Sequence, residues 1–217
     1  MSNNILFVTA YDAATTANFE LALLLKDPQD HALLGISAIK ENLFDAISVV
    51  NPSGGIFMMS HGRPEFIKGN DDLPALSEHQ GPLVSGRKVF AWACWTGVRM
   101  GHYISKAGCD WWGYDCAITA PDERPKFATI QAKFFKLAKQ SYVTVKNSNE
   151  ILPIINSLKI ECEKAIELLY MAGAENDIEA FSIFSTCNQF WERLVVWHPT
   201  SDEHFRHPSA PRVLLQL

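Results

Sequence analysis

The chain lacks the features that announce several large classes of function. No stretch reaches the roughly 18 consecutive apolar residues of a membrane helix. No block of five like charges occurs, and 19 basic against 24 acidic residues give a formal net charge of −5. A nucleic-acid binder's electrostatic footprint is therefore missing. Cysteines number only five, an odd count without paired zinc spacing, which points to reduced thiols in a cytoplasmic protein and not to a disulfide framework. The N-terminal apolar run, Ile5 to Val8, is too short for a signal peptide and has no basic segment before it. Gly54-Gly55 makes no dinucleotide fingerprint. No internal repeat, low-complexity segment or linker divides the 217 residues. What remains is one domain over residues 1–217, with no membrane, nucleic acid, cofactor or metal called for.

Among what is present, two short apolar runs stand out because each ends in one reactive side chain. Ile56-Phe57-Met58-Met59-Ser60 leads to His61-Gly62, and Lys88-Val89-Phe90-Ala91-Trp92-Ala93 leads to Cys94. Runs of this length without polar alternation predict buried parallel strands, covered on both faces. Each breaks at a glycine-containing turn, at Gly62 and at Thr96-Gly97. Ligands of open α/β sheets bind outside the carboxyl ends of the strands. If the two strands are neighbours, His61 and Cys94 share one crevice despite 32 intervening residues (62–93). A thiol nucleophile and its proton-transfer partner need that arrangement. Either residue alone reads more simply as an ordinary strand-end or core residue; together they favour chemistry.

The rest of the chain supports the same architecture. Ile5–Ala10, Ala32–Ile36 and the His61 strand alternate with helical spacing, first through Phe19, Leu23 and Leu24, capped by Thr15 or Thr16, then through Ile39, Leu43, Ile47 and Val50, capped by Ser37. This β-α-β-α-β pattern predicts an α/β fold with a mostly parallel sheet and helices on both faces. Residues 65–68 and 73–76 suggest a small hairpin, and residues 79–86 a loop or short helix. Beyond Cys94 the pattern predicts a helix from about Val98 to Ala107 and a strand at Asp110–Tyr114. A helix capped by Asp122 follows, then a long one from Glu150 to Ala172 with Asn147 and Glu150 as a capping box. Asn176–Gln189 reads as helix, Arg193–Trp197 as a last strand, and the residues after His198-Pro199 as a loosely ordered tail. His198, His204 and His207 with Asp202 and Glu203 match no established metal spacing, so a solvated tail is the better reading. Cys109, Cys116, Cys162 and Cys187 read as core or near-core thiols.

Three stretches carry a family resemblance. Phe57-Met58-Met59-Ser60-His61-Gly62 resembles the hydrophobic-Ser-His-Gly stretch of caspase-like cysteine peptidases, and Ala93-Cys94-Trp95-Thr96-Gly97 is similar to their Ala-Cys-x-Ser/Thr-Gly nucleophile stretch. Trp112-Gly113-Tyr114-Asp115-Cys116-Ala117-Ile118 resembles the following strand of the CHAT-type bacterial branch and of metacaspases. The resemblance covers about Ile5 to Phe135 and none of the C-terminal third. It departs from caspases proper, whose Gln-Ala-Cys form is absent and whose His–Cys spacing is longer. It implies a caspase-like, flavodoxin-like fold and a cysteine endopeptidase. Cys94 would be the nucleophile and His61 the acid–base, with the Gly62 and Cys94 amides as oxyanion hole. It also implies a protein substrate, a role in proteolytic signalling or bacterial defence and cell death, and a possible activating protein partner. By the same resemblance Asp115 would bind a basic P1 side chain. Arg63 and Arg99 are the alternative, for an acidic one. Trp95, Trp111 and Trp112 either line subsites or belong to the core. The competing readings are a non-catalytic caspase-like module that binds a partner and a flavodoxin-like ligand-binding domain.

Overall fold

A computed structural model describes residues 4–211. In chain order the elements are β1 (Ile5–Val8), α1 (Ala13–Leu25), β2 (His31–Leu34), α2 (Lys40–Val49), β3 (Ile56–Met59), β4 (Phe66–Lys68), β5 (Pro74–Ser77) and β6 (Lys88–Trp92). They continue with α3 (Arg99–Lys106), β7 (Asp110–Tyr114), α4 (Pro125–Ser141), α5 (Ile151–Met171), α6 (Ala180–Glu192) and β8 (Leu194–Trp197). Six strands form one sheet in the order β2-β1-β3-β6-β7-β8, parallel except for the last pairing, in which β8 closes the edge antiparallel to β7. Among the main-sheet strands this is the doubly wound, flavodoxin-like order, which reverses direction between β1 and β3. β4 and β5 make the separate antiparallel hairpin expected from the sequence.

Strict alternation of side chains explains why both faces are apolar. Leu6, Val8, Phe57, Met59, Phe90, Trp92, Trp112 and Tyr114 face α1, α4, α5 and α6. Ile5, Phe7, Ile56, Met58, Val89, Ala91 and Trp111 face α2, α3 and the hairpin. Trp111 and Trp112 are both fully buried, so they belong to the core. No helix among the described residues is long and apolar enough to cross a membrane.

The structure moves several expected boundaries. The cap of α1 is Asp12, whose side chain accepts from the Thr15 amide while Thr15 answers the Asp12 backbone, so the expected cap Thr15 is its reciprocal partner. Ser37 closes a 3₁₀ turn, Gly35–Ser37, and α2 starts at Lys40. Asp122 lies ahead of α4, which starts at Pro125, and pairs with Arg124. Asn147 caps a 3₁₀ turn, Ser148–Glu150, that leads into α5. The expected loose tail packs back on the sheet: Phe205 bridges Val196, and the His204 ring lies 5.2 Å from that of Trp197.

Candidate active site at the carboxyl end of the sheet

The strand ends that carry the candidate residues are tied together by hydrogen bonds beyond the regular ladder. The Thr9 amide donates to Met59 O (3.2 Å) and the Ser60 amide to Trp92 O (3.2 Å). The Thr9 hydroxyl donates to Ser60 Oγ (3.0 Å), which donates to Lys68 O (2.7 Å). The buried Ser60 thus locks the end of β3 to β1 on one side and to the hairpin on the other. His61 and Asp12 follow β3 and β1, the two strands at which the sheet order reverses, where a crevice opens by topology.

His61 Nε2 lies 2.6 Å from Asp12 Oδ2. The other Asp12 oxygen accepts from the Thr15 amide (2.9 Å) and the Thr15 hydroxyl (2.8 Å), so the carboxylate is fixed before it meets the imidazole. Burial would raise the Asp12 carboxyl, but the hydrogen bonds from Thr15 and His61 outweigh it and hold the group below its ordinary range. The Tyr11 ring stands edge-on to His61 with centroids 5.7 Å apart. Burial and the nearby Asp72 and Asp12 charges push its hydroxyl far above the normal tyrosine value, so Tyr11 packs as a neutral wall. With Nε2 committed to Asp12, Nδ1 is the nitrogen left for chemistry.

His61-Gly62 and Cys94 are brought together through their backbones. A Cβ added to Gly62 would collide with the Cys94 carbonyl oxygen and come within 2.8 Å of Thr96 Cγ2 and 3.0 Å of Ala93 Cβ. Only glycine allows so close an approach. No side-chain hydrogen bond joins His61 to Cys94 among the described residues. The Cys94 thiol, half-buried, accepts instead from the Ile118 amide at 3.4 Å. Neither the Gly62 nor the Cys94 amide has a backbone acceptor among the described residues. An oxyanion hole needs two N–H groups left unpaired in this way.

The turn after Cys94 is tight, with Trp95 in the left-handed region at φ 64° and α3 starting at Arg99. That conformation leaves Trp95 41% exposed at the rim. Thr96 donates to Ala93 O at 2.9 Å and holds the turn closed.

The expectation for Asp115 requires correction. Its carboxylate is buried and ion-paired within the chain, to Arg193 (2.9 Å) and to Arg206 (2.5 Å). A basic P1 side chain would have to displace one of these arginines. Arg99 is likewise engaged, with Glu78 at 2.7 Å and Glu65 at 3.6 Å. Arg63 is exposed and has no ion-pair partner among the described residues. It lines a recess of about 260 Å³ with Tyr11, Asp12, His61, Lys68 and Asp72. A second groove, of about 410 Å³, opens where the loop after Ile118 meets the N-terminal ends of α1 and α6; Ala13, Thr119, Asp122 and Ile183 line it.

Sequence reasoning placed His61, Gly62 and Cys94 at one site and did not single out Asp12. No family model, no curated protein and no solved structure matches the chain.

Proposed function

We propose that the chain is a cysteine endopeptidase in which Cys94 is the nucleophile, His61 the general acid–base and Asp12 the residue that orients His61. The observation that carries this reading is the convergence of three strand ends. The Asp12–His61 pair is preformed at 2.6 Å, and Gly62 is packed directly on the Cys94 backbone. An oriented imidazole whose neighbouring glycine packs on the backbone of the cysteine supports acyl-transfer chemistry at this strand end.

In the proposed cycle His61 Nδ1 takes the Cys94 proton and the sulfur attacks the scissile carbonyl. The Gly62 and Cys94 amides receive the oxyanion. His61 then protonates the departing amine, leaving a thioester on Cys94. Water, deprotonated by His61, hydrolyses it and restores the thiol. The recess that holds His61, Gly62 and Arg63 is the place for a substrate chain in this reading; the 410 Å³ groove is lined by neither His61 nor Cys94. A protein substrate follows from the resemblance alone. Roles in proteolytic signalling or defence, and an activating protein partner, follow only from the resemblance to caspase-like peptidases.

The test is turnover of peptide-library substrates by the purified chain, beside Cys94→Ala and His61→Ala. Cys94→Ala abolishes cleavage, and His61→Ala lowers it by a factor of about a hundred or more. Undiminished cleavage by purified Cys94→Ala rejects the mechanism. A wild type that binds protein partners but cleaves nothing favours the non-catalytic module.

A further inference from the structure

Cys116 lies against the turn that carries Cys94, its carbonyl accepting from the Trp95 amide. β6 pairs with β7 at a constant offset of 22 residues, as in Lys88↔Asp110, Val89↔Trp111 and Phe90↔Trp112. That pairing ends at Phe90↔Trp112; beyond it the chain turns back across the end of β7, the Trp95 amide donating to Cys116 O at 3.0 Å and the Gly97 amide to Tyr114 O at 2.8 Å, so the turn that carries Cys94 lies against Cys116. The Cys94 thiol leans toward this segment, touching the Ile118 amide at 3.4 Å. Both thiols are half-buried, whereas Cys109, Cys162 and Cys187 are fully buried.

We propose that Cys94 and Cys116 form a reversible redox pair in which oxidation by a peroxide links the two sulfurs. In the first step the Cys94 thiolate attacks one peroxide oxygen. The O–O bond breaks, an S–O bond forms, sulfur gives up two electrons, and the peroxide leaves as water or an alcohol. In the second step the Cys116 sulfur attacks the Cys94 sulfenic acid. The S–S bond forms and the S–O bond breaks, and hydroxide leaves with the Cys116 proton as water. A dithiol reductant reverses the link. Burial pushes the Cys116 thiol up, opposed by its hydrogen bond from Arg193, while the neighbouring Cys94 raises it further. Cys116 thus suits the resolving role better than the first attack. The consequence for cleavage, a nucleophile masked and then restored, rests on the peptidase reading; formation of the bond does not.

The experiment treats the whole protein with hydrogen peroxide, blocks remaining thiols, and maps crosslinked peptides without reduction. The expected result is a Cys94–Cys116 peptide and a mass lower by two hydrogens, both reversed by dithiothreitol. In Cys116→Ser the crosslink is lost and Cys94 proceeds to sulfinic acid, so most of the reversibility disappears. Wild-type mapping needs no variant and stands even if Cys116→Ser folds poorly. Oxidation of wild-type Cys94 straight to sulfinic acid overturns the pair, as does a disulfide to another cysteine or between two chains. A Cys94–Cys116 link in a protein that cleaves nothing rejects the peptidase reading and leaves the redox pair in place.

Discussion

His61 has two ring nitrogens, and the structure commits one of them to Asp12, which separates catalytic from structural roles at a single position. Asp and Asn are nearly equivalent helix caps, so Asp12→Asn leaves α1 in place while removing the charge that stabilises a protonated His61. We expect kcat to fall by roughly ten- to a thousand-fold with KM little changed, α1 intact and the denaturation midpoint modestly lower at neutral pH. The pH–rate profile shifts at the same time, and an unaltered kcat and profile would reduce Asp12 to a cap. Acid titration gives a second measurement. Because folding lowers the Asp12 carboxyl, its contribution to stability is complete above the ordinary carboxylate range and is lost as pH falls through the lowered value. The gap in denaturation midpoint between wild type and Asp12→Asn therefore closes in strong acid. Gly62→Ala tests the other contact. The new methyl must push the Cys94 carbonyl away, costing about 1–3 kcal/mol and displacing an oxyanion donor. A melting curve together with kcat reads both effects, and a fully active, equally stable Gly62→Ala would contradict this packing. His61 and Cys94 were legible because each follows an unbroken apolar run. Asp12 was not, since its role depends on β1 pairing with β3, and that pairing brings together residues 49 positions apart. The engagement of Asp115 by Arg193 and Arg206 was not legible, because a strand-end carboxylate does not announce partners so distant in sequence.

At the scale of elements, the site depends on helices being anchored by polar groups as well as by apolar faces. Arg87, buried just ahead of β6, donates to Ile47 O and Val50 O at 2.7 Å and to Asn51 O at 3.0 Å, capping the carbonyl end of α2. Lys139 of α4 does the same for α1. Its ammonium, 2% exposed, meets Leu25 O (2.8 Å), Asp27 (2.8 Å) and Asp30 (2.5 Å), with Asp30 itself 1% exposed. Removing the cation leaves a buried carboxylate without compensation. Lys139→Met is therefore expected to cost about 3–5 kcal/mol in chemical denaturation. Lys139→Met combined with Asp30→Asn should recover much of that loss, and a loss below 1 kcal/mol would mean the pair is not holding α1 to α4. The elements themselves were legible from period and punctuation, including the hairpin and the last strand, whose antiparallel edge position was not. Their starts were less so, because Asp12, Ser37, Asp122 and Asn147 can each close a short turn as readily as open a helix.

At the scale of the whole molecule, the C-terminal third, which carried no recognisable signature, completes the same core as the candidate site. Phe134, Phe135 and Phe190 pack around Trp92, and β8 covers the edge of β7. Helical periodicity made α4 to α6 legible; their support of the site was not, because it resides in tertiary packing. This integration bears on activation. Caspases are often matured by cutting after the strand that corresponds to β7. Here residues 115–124 are pinned along their length. The Ile118 amide reaches the Cys94 thiol, the Thr119 amide donates to Gln189 (2.7 Å), Thr186 donates to Ala120 O (2.9 Å), and the Asp122 amide donates to Gln131 (2.8 Å). A cut in this segment would free Ile118 from the nucleophile and loosen the wall of the groove. If the chain is the peptidase proposed, we therefore expect its active form to be one intact chain, controlled by a partner or by substrate access. A recognition sequence for a site-specific protease, inserted between Ala120 and Pro121, tests this directly. The uncut protein should turn over substrate, and cleavage at the inserted site should lower kcat at least tenfold as Ile118 lets go of the thiol. A rise in activity on cutting, or active enzyme found only as two fragments divided between Tyr114 and Pro125, would show that the connection is an activation linker after all.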